Sequence, residues 1–132
     1  MYKLQYNRIE KGNDVLIFIG IVNEKQLSRK MNKTIFTQEN FKEKVLDKEG
    51  MALVLFSTGW DFSSKKMEEK LECISMTNDF LWGTVDIDVE DDLAEKYNIT
   101  GVPTFIKFVD GKEVDRFSGN RKEEEIIKFI ST

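Results

Sequence analysis

Apolar and polar positions along this chain predict its elements one after another. Tyr2, Leu4 and Tyr6 alternate with polar residues, the period of a strand buried on one face. Lys11-Gly12-Asn13-Asp14 is a turn cluster, and the apolar run Val15 to Val22 (VLIFIGIV) follows it. Together they predict an N-terminal β-hairpin. Asn23 to Asn32 is polar and reads as a helical turn or a linker. Residues 1–32 therefore stand as an extension to a domain spanning 33–132. Met31 would open that domain by itself, so the first thirty residues read either as a true extension or as an upstream misreading of the start.

From Lys33 onward the pattern is more regular. Lys33 to Phe36 predicts a short strand, and Thr37 is placed to cap a helix presenting Phe41, Val45 and Leu46 on one face, ended by Gly50. Met51 to Ser57 (MALVLFS) is a continuous apolar run, as in strands covered on both faces. A helix follows from about Asp61, with Ser64, Met67, Leu71 and Ile74 at spacings of three and four. Phe80 to Ile87 predicts a strand and Asp91 to Tyr97 a short helix. Thr104 to Val109 and Lys112 to Ser118 predict two strands joined by the tight turn Asp110-Gly111. Lys122 to Ile130 closes the chain as an amphipathic helix. This order predicts an α/β domain with a central mixed sheet and helices on both faces.

Composition removes more chemistry than any motif adds. The 132 residues are 40% hydrophobic and 33% charged, enough apolar material for one core. There is no histidine, which excludes His-based triads, acid/base pairs and His-containing zinc sites. The single cysteine, Cys73, can neither close an internal disulfide nor build a thiolate metal site. No calcium loop or Gly-rich phosphate loop is present, and no cofactor is expected. Residues 1–33 carry seven Lys and Arg against three acids, net +4, while residues 34–132 carry thirteen against twenty-one, net −8. An overall charge of −4 argues against nucleic acid as a partner. The eight-residue run at 15–22 is too short to cross a bilayer, which takes about 20 apolar residues. It also lacks the flanks of a signal peptide, so a cytoplasmic location is expected.

Several words in this order carry a resemblance. They are Ala52-Leu53-Val54-Leu55-Phe56-Ser57-Thr58-Gly59-Trp60, Val85-Asp86-Ile87-Asp88, Leu93-Ala94-Glu95-Lys96-Tyr97-Asn98-Ile99, Gly101-Val102-Pro103-Thr104-Phe105, Asp110-Gly111-Lys112 and Phe117-Ser118-Gly119. At this spacing, residues 33–132 resemble a thioredoxin domain over essentially its full length, and the resemblance implies that fold. Thioredoxins carry Trp-Cys-Gly-Pro-Cys-Lys at the head of the second helix, where this chain has Trp60-Asp61-Phe62-Ser63-Ser64-Lys65. Asp61 holds the place of the nucleophilic cysteine and Ser64 that of the resolving one. The family's buried acid falls at Leu55, and its helix-kinking proline falls near Glu69. The resemblance also implies a cis bond at Pro103, facing the former redox site.

Dithiol exchange needs an attacking thiolate and a second thiol to release the mixed disulfide. Neither Asp61 nor Ser64 supplies one, so no catalytic residue and no dithiol reductase activity are expected. Cys73 lies nine residues beyond Ser64, about 13 Å along a helix. It reads as a small, semi-buried filler beside Lys66, Glu69 and Lys70, or as a partly exposed thiol that links two copies under oxidation. Asp61 reads as a helix N-cap whose charge suits the positive end of the dipole, a role compatible with mimicking a thiolate. Trp60, Asp61, Phe62, Val102, Pro103 and Gly119, with the Ser118-Gly119-Asn120 turn, are expected to form a shallow groove for a partner protein or extended peptide. Phe62, where the family has glycine, is the residue that most favours a binding surface over a vestige. The expected function is a redox-inactive adaptor or holding role. Two alternatives stay open: an oxidoreductase working through Cys73 or a partner's thiols, as the family name and its link to redox homeostasis suggest, and an interaction module built on residues 1–32.

Overall fold

The computed structural model describes residues 2–11, 14–23 and 33–132, with side chains from Lys33 onward. Contacts divide the chain into two compact units, Met1–Asn32 and Lys33–Thr132. In the first, β1 (Tyr2–Lys11) pairs antiparallel with β2 (Asp14–Asn23), from Tyr2 opposite Asn23 to Lys11 opposite Asp14. The turn expected at Gly12-Asn13 and the helical turn or linker expected up to Asn32 lie outside the described residues.

The second unit contains β3 (Thr34–Ile35), α1 (Lys42–Leu46), β4 (Met51–Ser57), α2 (Phe62–Ser75), β5 (Leu81–Asp86), α3 (Asp91–Lys96), β6 (Thr104–Val109), β7 (Lys112–Ser118) and α4 (Glu123–Ser131). Its five strands run in the order β3-β5-β4-β6-β7. β3 and β4 are parallel to β5, with α2 as the crossover from β4 to β5, while β6 and β7 are antiparallel additions. Asp110 and Gly111, both at positive φ (51° and 80°), make the tight turn between β6 and β7. Near Lys107 the β6–β7 register shifts, leaving Val114 as the extra residue on β7.

Alternation along β4 divides the core. Ala52, Val54 and Phe56 face one cluster with Phe36, Phe41, Val45, Val85, Leu93, Ile106 and Phe108. Leu53 and Leu55 face the other with Met67, Leu71, Ile74, Trp82, Phe105 and Ile126. Aromatic rings bind the first cluster edge to face: Phe41 meets Phe108 at 5.7 Å and Tyr97 meets Phe108 at 5.5 Å. On the other face Phe117 stacks on Phe105 at 4.7 Å and receives Phe129 edge-on at 4.8 Å. Fully burying each such side chain contributes about 1.5–3 kcal/mol.

One local detail differs from the sequence reading and a second was not addressed by it. The helix after β3 is a single π-helical stretch, Lys42–Leu46, with Phe41 in the capping position. Thr37 acts one turn earlier: its Oγ1 accepts from the Asn40 backbone N–H (3.2 Å), and Asn40 Oδ1 accepts from the Thr37 N–H (2.8 Å). That reciprocal pair stabilises the entry turn in place of an α-helical cap. The second detail is Lys107, a lysine in the middle of β6 that is only 4% exposed. Its Nζ donates to the carbonyls of Phe129 and Thr132, so its charge lies at the negative end of α4. Among the described residues no helix is long and apolar enough to cross a membrane.

Gly83 on β5 is required by close packing. A Cβ there would lie 2.4 Å from the Thr34 carbonyl oxygen and 2.6 Å from the Phe36 ring. Gly83→Ala is expected to lower unfolding stability by about 1–3 kcal/mol in urea melts, because β3 must shift away from β5. An unchanged midpoint would show that β3 is loosely held.

Candidate functional site

The C-terminal end of β4 delivers the chain to the start of α2. Asp61 is the N-cap: its backbone is extended (φ −82°, ψ 126°) and Oδ2 accepts from the Ser64 backbone N–H at 2.7 Å. The carboxylate thus meets a donor that the first turn leaves without an intrahelical partner. Ser64 turns inward, 1% exposed, above Met67 and Leu71 on the buried stripe. Its Oγ has no hydrogen-bond partner among the described residues. Leu55 is fully buried against α2, so the position of the family's acid is sealed with hydrocarbon. α2 runs without interruption through Glu69, which is exposed.

The flanking aromatic residues point outward. Trp60 is 76% exposed and Phe62 72% exposed. Trp60 Nε1 donates to Asp88 Oδ2 at 3.0 Å, tying the indole to the turn after β5. Lys66 Nζ lies 5.3 Å from the centre of the Phe62 ring. Val102 precedes Pro103 through a cis peptide bond. The Pro103 carbonyl accepts from the Gly119 N–H at 2.9 Å, and Gly119 has φ +84°. Asn120 Nδ2 reaches Ser63 Oγ at 3.4 Å. These bonds bring the head of α2, the 102–103 loop and the 118–120 turn together. Pro103 itself is buried and Val102 half-buried, so at the surface the aromatic pair dominates.

Cys73 departs from its expected setting. It is an exposed free thiol, not a semi-buried filler. Leu71 and Ile74 take the inward-facing positions of α2, and residue 73 falls on the outer side of the stripe. Partial desolvation pushes its thiol above the ordinary cysteine range, and the carboxylates of Glu123, Glu72 and Glu69 push it further. It is therefore a sluggish nucleophile near neutrality, at the far end of α2 from Asp61.

The sequence reading also passed over a cleft of about 340 Å³ beside this site, between β3, α2 and the turn after β5. Gly59 forms part of its wall, directly before Trp60. Among the described residues no three acidic or sulfur side chains are grouped to hold a metal ion.

Asp61→Ala is expected to lower stability by about 1 kcal/mol, with Asp61→Asn close to the parent, whereas Ser64→Ala leaves urea stability unchanged or raised. Equal losses for both alanine variants would contradict the capping geometry. Because the Cys73 thiol is shifted upward, its alkylation by iodoacetamide should accelerate with pH later than that of a free cysteine peptide. Glu72→Gln should move that profile toward lower pH. A profile already at its plateau at neutral pH would contradict the assigned surroundings.

Residues 32–132 match the thioredoxin family. The chain is 34% identical over 98 residues to a thioredoxin of Chlamydia trachomatis, an alignment covering 74% of this chain and 94% of the relative. It is 36% identical over 85 residues to a protein disulfide-isomerase of Schizosaccharomyces pombe, covering 61% of this chain and 24% of that longer protein. A mutant thioredoxin from Halobacterium salinarum superposes with a TM-score of 0.70 at 23% identity, covering 76% of this chain and 88% of that one. The chain belongs to the thioredoxin family.

Proposed function

We propose that this thioredoxin-family protein binds a partner polypeptide, in extended form, across the surface made by Trp60, Asp61, Phe62, Val102 and Gly119, and that it does so without dithiol exchange. The observation that carries the reading is the exposure of Trp60 and Phe62 side by side at the head of α2. Large aromatic side chains standing in water are the residue type that dominates binding energy when covered. The 102–103 loop, at the entry to β6, is linked to the head of α2 through the Gly119–Pro103 and Asn120–Ser63 bonds, and its backbone offers an extended chain further hydrogen bonds. Asp61 places a negative charge at the helix N-terminus, where the family holds a thiolate, so a partner meets similar electrostatics without a reactive sulfur. The protein then acts as an adaptor or holding factor.

The names of the relatives point to redox chemistry. In this chain the only sulfur nucleophile is Cys73, with a raised pKa and about 13 Å of helix between it and Ser64. Insulin reduction driven by dithiothreitol should therefore proceed at the background rate, with or without Cys73→Ser. Turnover above background that disappears in Cys73→Ser would overturn the non-redox reading. For the groove, partner recovered by pull-down from the native host should fall about tenfold or more with Phe62→Ala and with Trp60→Ala. Unchanged recovery with both variants would refute it.

A further inference from the structure

Several polar groups that line the cleft beside Gly59 have no side-chain partner. Its floor holds Ser57, Thr58 and Thr84, all buried, and none makes a side-chain hydrogen bond among the described residues. Thr58 is 5% exposed, and its Oγ1 is left fully unsatisfied. Burying a hydroxyl in this way is unfavourable unless something completes it.

The rim is acidic. Asp86 Oδ1 accepts only the Asp88 backbone N–H (2.9 Å), and Glu90 Oε2 accepts only the Gln38 backbone N–H (3.3 Å). The Glu90 N–H bonds the Asp86 carbonyl at 2.7 Å, so both carboxylates belong to one turn. Neither has an ion-pair partner among the described residues, because the one cation lining the cleft, Lys33, is paired with Glu68. Ile35 and Val89, both exposed, give the mouth two apolar sides.

We propose that this cleft receives an arginine side chain of the polypeptide held at the Trp60–Phe62 surface, an assignment that rests on the function proposed above. A guanidinium carries five N–H donors in one plane and no acceptor, which complements two carboxylates that have no ion-pair partner. Its methylene stem lies along Ile35 and Val89 while the head enters the polar interior. An ammonium group, with three donors and a strong hydration shell, leaves more of the floor unsatisfied. The cleft adjoins the aromatic surface through Gly59 and through Asp88, which holds Trp60, so one extended chain can meet both.

The test is a titration of the ¹⁵N-labelled full chain with N-acetyl-arginine methylamide, using the citrulline and lysine analogues as controls. The arginine derivative should give saturable shifts centred on Thr58, Gly59, Thr84 and Glu90. Glu90→Gln, which keeps the acceptor for Gln38, should weaken binding roughly fivefold. Phe62→Ala should leave binding of the derivative unchanged. Absence of saturable shifts at those residues, or equal shifts from citrulline or lysine, overturns the assignment. If the arginine derivative leaves the cleft untouched while Phe62→Ala still loses the partner, the cleft fails and the aromatic surface stands.

Discussion

A strand with neighbours along both edges and helices against both faces has no route to water, so every side chain on it must be apolar or find a partner within the protein. β4 is under that constraint, with β5 and β6 on its edges and a core cluster on each face. Its residues from Ala52 to Phe56 are all hydrocarbon, and they set the register of the whole sheet. The same strand ends at the start of α2, so the rigidity of the core passes directly to the position of Trp60, Asp61 and Phe62. Leu55 belongs to this logic. A carboxyl there would need a partner within the protein; Leu55 fills the position with hydrocarbon and is fully buried.

The head of α2 is organised by the field of a helix N-terminus. The first turn of a helix offers unsatisfied N–H groups and a partial positive charge to whatever stands in front of it. A thiolate would use that field to become a nucleophile. The Asp61 carboxylate uses it as a cap, through the bond from the Ser64 N–H. The inward turn of Ser64 then leaves the aromatic side chains on either side of Asp61 as the exposed features of the site.

Legibility of these features in the sequence depended on the range of the interaction. The α2 stripe of Ser64, Met67, Leu71 and Ile74 could be read because an amphipathic helix repeats its burial every three or four residues. The cap at Asp61 and the turn at Asp110-Gly111 could be read because both are decided within a few bonds. The π-helical form of α1 could not, since the local pattern fits an α-helix equally well and the reciprocal Thr37–Asn40 bonds appear only in three dimensions. Cys73 was placed off the stripe correctly, but its exposure depends on how little of that side of α2 its neighbours cover. Pro103 was expected within the groove, and the structure buries it beneath.

By itself the sequence determined the order of elements, the division into core and surface faces, and the absence of a paired thiol, because periodicity and residue identity are properties of the chain. Tertiary structure decided which distant groups meet. It set Trp60 against Asp88 and Lys107 against the end of α4, and it brought Ser57, Thr58, Thr84, Asp86 and Glu90 to line one cleft. Those residues lie on separate strands, turns and helices, and no local rule brings them together. Only the parallel pairing of β4 with β5, through the α2 crossover, places their ends side by side.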